Sequence, residues 1–246
     1  MFSKNYLINT KELIFNAHNQ TVKVTVCVVE LLSELLEDCS FLSDYELDVF
    51  RQIEFDTRRK SFLLGRIAAK NAISHILKTQ PLNKIEIRNG ALNQPIVEVE
   101  KQPGPEISIS HCGRIGVAAA FSHNILLGVD IEKISEERIS TLQKVSTENE
   151  SLLLSIKISS INRYTILWTA REALSKCVKT GFTIPFHFFE IKALSEEWWG
   201  YSGEYLNFEK FKFISILLQD SILTLCFPTT LILQEIVKVD TRGIAI

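Results

Sequence analysis

Leu127-Gly128-Val129-Asp130-Ile131-Glu132, at the middle of a 246-residue chain, reads as a β-strand. Apolar residues run from Ile125 to Ile131 and alternate toward the end. In a strand, residues i and i+2 share a face, so Asp130 and Glu132 stand side by side while Val129 and Ile131 point the other way. Two neighbouring carboxylates repel, and burying them unpaired is costly. A positive charge must therefore sit beside them. A hard divalent cation with oxygen ligands, magnesium first, meets that need. Solvation of a strand end, or pairing with Lys133, meets it as well.

The composition, 46% hydrophobic with a formal net charge of -2, supports a sizeable core in one large domain or two halves. With no global basic field, nucleic acid is not an expected partner, and any anion site is local. Five scattered cysteines (Cys27, Cys39, Cys112, Cys177, Cys226) include no C-x-x-C pair, so they suit free thiols in a reducing cytoplasm. Met1 to Thr10 lack the pattern of a signal peptide, and no run of apolar residues is long enough to span a membrane.

Residues 22–29 alternate and are β-branched, which predicts a strand. Ser43 with Glu46 three residues on has the register of a capping box. A long helix is predicted over about 57–77, with Arg66 and Lys70 on one side; these cations face either solvent or an anion. Strands come next at 84–88 and 95–99, joined by a turn through Asn93-Gln94. Glu106 to His111 and Ile115 to Phe121 form a hairpin with Ser110 and His111 at its mouth. After Glu132 comes a polar stretch containing Ser135-Glu136-Glu137-Arg138, predicted flexible or weakly helical. A strong helix over about 161–178, ended by Gly181, carries Trp168, Glu172 and Lys176 at intervals of four, hence on one face. Strands are predicted at 186–192, 210–218, 221–227 and 230–239, with Trp198 and Trp199 in a loop. Strands outnumber helices without βαβ alternation, so the fold class is α+β. Each half contains one long charged-face helix among antiparallel strands, which hints at a pseudo-duplication of residues 1–123 in 124–246.

Four segments together resemble one family: Phe62-Leu-Leu-Gly65-Arg66 with Lys70; Ile109-Ser110-His111; Gly128-Val-Asp130-Ile-Glu132; and Trp168-Thr-Ala-Arg171-Glu172-Ala-Leu-Ser-Lys176. Their order and spacing resemble the 4′-phosphopantetheinyl transferases of the Sfp type across roughly residues 40–190. The resemblance implies two similar α+β halves with the active site at their interface. The first half contributes to coenzyme A binding and the second holds the metal site and catalytic helix. It implies transfer of the phosphopantetheine arm of coenzyme A to a serine of an acyl or peptidyl carrier protein, releasing adenosine 3′,5′-bisphosphate. Asp130, Glu132 and Glu172 are then the Mg2+ ligands. Glu172 is the candidate general base, and Lys176 offsets charge on the leaving phosphate. Arg66, Lys70, Gln94, Ser110, His111 and Lys176 stand at the positions of the family's coenzyme A contacts.

Two positions depart from the family pattern. Gln94 stands where a phosphate-contacting lysine is usual, and Arg171 replaces a lysine while keeping its charge. The alternatives are an inactive homologue that still binds coenzyme A or a carrier protein, and a Mg-dependent nucleotide phosphohydrolase. The chain is expected to act as a monomer. Arg114, Lys144, Lys157 and Arg163 are expected to supply a basic surface for an acidic carrier protein.

Overall fold

The computed structural model describes residues 6–17, 19–32, 38–78, 81–153 and 158–238. In chain order these form β1 (Tyr6–Ala17), β2 (Gln20–Leu31), α1 (Asp44–Arg51), α2 (Asp56–Leu77), β3 (Ile85–Asn89), β4 (Pro95–Val99), β5 (Gln102–Pro103), β6 (Glu106–Cys112) and β7 (Ile115–Phe121). Then come β8 (Gly128–Lys133), α3 (Ile139–Lys144), α4 (Glu148–Leu152), α5 (Ser160–Cys177), β9 (Ile191–Glu197), β10 (Gly200–Tyr205), β11 (Phe211–Leu218), β12 (Ser221–Pro228) and β13 (Ile232–Lys238). Single 3-10 turns cover Leu82–Lys84, Glu136–Arg138, Gly181–Thr183 and Phe186–Phe189. The expected α+β class holds.

The chain divides into two compact units, one of residues 1–125 and 232–246, the other of 126–231. In the first, the antiparallel sheet runs β13-β1-β2-β7-β6, with β3-β4-β5 as a separate small sheet. In the second, the sheet runs β8-β12-β11-β10-β9, also antiparallel. The boundary along the chain falls at 125/126, and residues from Ile232 on are part of the first unit. β13 returns to the first unit and pairs with β1, covering an edge that would otherwise present unpaired backbone groups.

Each unit is built around one long helix packed on its sheet. α2 crosses β2, β6 and β7, and its Leu63, Leu64, Ile67, Ala68, Ala69, Ala72 and Ile73 enter the core. Contact is closest at Gly116 of β7, where a Cβ would come 2.6 Å from the Leu64 carbonyl oxygen. α5 crosses β8 and β12, burying Ile166, Leu167, Ala170, Ala173 and Leu174. Fully burying one such Leu or Ile side chain contributes roughly 1.5–3 kcal/mol. Here the closest approach is at Gly128, where a Cβ would sit 1.9 Å from the Ala173 carbonyl oxygen.

Each unit also anchors its long helix with a buried ion pair. The capping box at Ser43 forms as expected: Glu46 Oε2 accepts from Ser43 N at 2.9 Å, and Ser43 Oγ accepts from Glu46 N at 3.3 Å. Glu46 is fully buried and pairs with Lys70 Nζ of α2 at 2.5 Å. In the second unit, Thr147 and Glu150 make the same box at the start of α4, and Arg171 of α5 donates to Glu150 Oε2. The other carboxylate oxygen, Oε1, accepts from Ile191 N at 2.8 Å.

Several local expectations change. β1 and β10 go beyond the strands read from the sequence. The stretch 186–192 is a 3-10 turn leading into β9 rather than one strand, because Pro185 precedes it and fixes the backbone at φ -57. α5 ends at Cys177 before Gly181, with Lys179 taking the left-handed turn at φ 57. Trp198 and Trp199 form the tight turn of the β9–β10 hairpin.

Candidate active site

Along α5 from Arg163 to Cys177, Trp168, Glu172 and Lys176 alone are partly exposed; every other side chain is buried. The interval of four thus selects the single open stripe of an otherwise enclosed helix. That stripe lies over β8, because the missing side chain at Gly128 lets α5 approach the strand closely. Asp130 and Glu132 share the opposite bank, with Val129 and Ile131 buried on the other face of the strand.

The positive charges demanded by the two acids come from within the unit. Lys176 Nζ donates to Asp130 Oδ1 at 2.7 Å instead of pairing with Glu172 along the helix. Arg138 forks onto Glu132, Nη1 donating to Oε2 and Nη2 to Oε1, the latter at 3.5 Å. Trp168 Nε1 also donates to Glu132 Oε1, at 3.1 Å, while the indole stacks on Phe186 with centroids 5.1 Å apart. Lys133 pairs with Asp220 at 3.6 Å. Arg138 is the member of this cluster that sequence reading missed. Its signal was present, a lone arginine in the acidic run after Glu132, but a fork six residues back cannot be read from periodicity.

Glu172 completes the cluster. Burial first, then the Asp130 carboxylate, push its pKa up to about 7, with Glu132 adding to the rise and Lys176 and Arg138 opposing it. The group thus changes protonation near neutrality, where a general base is most effective.

Among the described residues, no group of three His, Cys, Asp or Glu side chains is arranged to hold a metal ion as it stands. The donor chemistry nevertheless fits a hard cation. Asp130 and Glu132 on the strand raise the pKa of Glu172 on the helix, and all three carboxylates offer the oxygen donors that a hard cation takes.

The remaining expected site residues lie in the first unit. Lys70 is 0% exposed, and its ammonium is used up by Glu46, by Phe41 O at 2.7 Å and by Leu82 O at 3.0 Å. Arg66 Nε lies 3.0 Å from Glu46 Oε1; Nη2 donates to Ile87 O at 3.3 Å, and the guanidinium stacks over Phe62. The expectation of an anion-facing helix is thus corrected. Both cations serve the buried Glu46, because a carboxylate in the core needs them more than solvent or a ligand does. Gln94 Oε1 accepts from Leu92 N at 2.9 Å and so braces its own turn, where Asn93 has φ 61. Ser110 is buried and His111 exposed on β6, where His111 is paired in register with Gly116 two residues past the hairpin turn.

Of the four cations expected to face a carrier protein, Arg114 and Lys144 are exposed. Arg163 is buried, and Arg114 Nε is tied to Leu31 O at 2.9 Å. Lys157 lies outside the described residues. None of the five cysteines forms a disulfide. No helix among the described residues is long and apolar enough to cross a membrane.

The sequence model described as the 4′-phosphopantetheinyl transferase superfamily matches residues 126–226, which is nearly the whole of the second unit. The chain is also 30% identical over 131 residues to "4'-phosphopantetheinyl transferase gsp" of Aneurinibacillus migulanus. That alignment covers 52% of each chain, so this protein spans about half the length of that relative. The matched stretch contains all of β8 and α5, including Asp130, Glu132, Glu172 and Lys176. Residues 126–226 of this chain are thus similar to the 4′-phosphopantetheinyl transferase superfamily.

Proposed function

We propose that this protein is a 4′-phosphopantetheinyl transferase. It moves the phosphopantetheine arm of coenzyme A onto a serine hydroxyl of an acyl or peptidyl carrier protein and releases adenosine 3′,5′-bisphosphate. The observation that carries the reading is the cluster on α5 and β8: three carboxylates and Lys176, with Glu172 poised near neutrality, inside the stretch that matches the superfamily. The name of the relative points to the same activity.

Asp130, Glu132 and Glu172 would hold Mg2+. A divalent cation bound there supplies positive charge to the diphosphate of coenzyme A and to the leaving oxygen. Glu172 takes the proton of the attacking serine hydroxyl, directly or through water. Lys176 is 28% exposed at its side chain, so its ammonium has room to turn from Asp130 to the leaving phosphate. Trp168 fixes the orientation of Glu132 through the indole N–H. Ser110 and His111 are candidate coenzyme A contacts.

The test is intact mass spectrometry of an apo carrier protein incubated with this protein, coenzyme A and Mg2+. The expected result is a gain of one phosphopantetheine group on serine. Unmodified carrier, with a known transferase modifying the same sample, overturns the reading. Free phosphate released without a carrier would point to a phosphohydrolase.

A further inference from the structure

We propose that Arg138 is the resident counter-ion of the acidic cluster, and that its guanidinium and a divalent cation exchange at Glu132. The inference rests on the metal assigned to this site in the transferase reading. Arg138 reaches both oxygens of Glu132, closely at Oε2 and at 3.5 Å at Oε1. It therefore stands where a cation would have to bind. Its side chain is 40% exposed against 19% for Glu132, which gives the guanidinium a path into solvent.

Trp168 makes the exchange orderly. Its Nε1 holds Glu132 Oε1 independently of Arg138, and its ring is packed on Phe186. When the arginine leaves, the carboxylate keeps its direction, and Oε2 is the atom released. The charges agree with this. Asp130, Glu132 and Glu172 face Lys176 and Arg138. With Glu172 ionised, that is one negative charge in excess. A divalent cation added with Arg138 still in place would reverse the sign, whereas its arrival with Arg138 turned outward leaves the cluster neutral. Without metal, the arginine keeps the acids from repelling one another.

The test uses the whole protein, freed of metal by chelation and without coenzyme A. Mn2+ binding is followed by electron paramagnetic resonance and Mg2+ binding by calorimetry. Arg138→Gln should bind either ion roughly three- to fivefold more tightly than the wild type, the scale of one partly exposed ion pair. Its thermal midpoint should fall in chelator and recover in saturating Mg2+. Arg138→Lys, which keeps the charge but loses the fork, should lie between the two; this variant carries the test if Arg138→Gln does not fold. Affinity unchanged or weakened in both variants overturns the proposal, as does a wild type that binds neither ion. Metal binding with the expected ranking but no carrier modification would leave the exchange standing and remove the transferase reading.

Discussion

Lys176 Nζ reaches from α5 to Asp130 Oδ1 of β8 across 2.7 Å, and this bond ties the open stripe of the helix to the paired acids of the strand. Asp130 is 4% exposed, so its charge depends on that lysine whenever no other cation is present. Asp130→Asn keeps the shape and removes the charge. Transfer to a carrier protein should fall at least about 10²-fold while far-ultraviolet circular dichroism stays that of the wild type. A rate within a few-fold of wild type would remove Asp130 from the site.

Glu172 gives a stability signature that needs no substrate. Its folded pKa of about 7 lies above the ordinary 4.5. Between those values the folded chain binds more protons at this site than the unfolded chain, so stability falls as pH rises through the window and levels off above it. Glu172→Gln removes the penalty. In chelator its advantage over the wild type should be near zero at pH 4.5 and grow to at most about 3 kcal/mol at pH 8. Urea midpoints measured at both pH values check it; an advantage independent of pH would mean that the carboxylate ionises normally.

Gly128→Ala tests the close approach of α5 to β8. The added Cβ would meet helix backbone, the Ala173 carbonyl oxygen at 1.9 Å and the Cys177 nitrogen at 2.6 Å, and neither can turn aside. The helix must lift, which separates Glu172 and Lys176 from Asp130. The loss should be about 1–3 kcal/mol or more, in the range of overpacked cores, with transfer abolished. Gly113→Ala, at an open hairpin turn, is the control for glycine replacement: it should cost only the strain of φ 56, with a small fall in urea midpoint.

Lys70 separates the structural role from the ligand role. Glu46→Ala leaves Lys70 buried without its carboxylate and should cost about 3–5 kcal/mol. Lys70→Met leaves Arg66 beside Glu46 and should cost less, while the KM for coenzyme A stays at the wild-type value. A raised KM in a variant that is still folded would return Lys70 to the binding site.

Features that short-range repeats dictate were legible before any fold was known. Period two put Asp130 and Glu132 on one face, period 3.6 aligned Trp168, Glu172 and Lys176, and the spacing of Ser43 and Glu46 announced a cap that forms in full. Such features depend on backbone geometry over a few residues and hold wherever the element is placed. Tertiary structure alone decided the partners. A lysine at helical spacing looks the same whether it faces solvent or a buried carboxylate, and only packing showed that Lys70 serves Glu46 while Lys176 serves Asp130. Likewise Arg138 could be matched to Glu132, and β13 to the edge of β1, only once the chain had folded back, because ion pairs and strand pairs are satisfied by whichever group arrives in space, however far away in sequence.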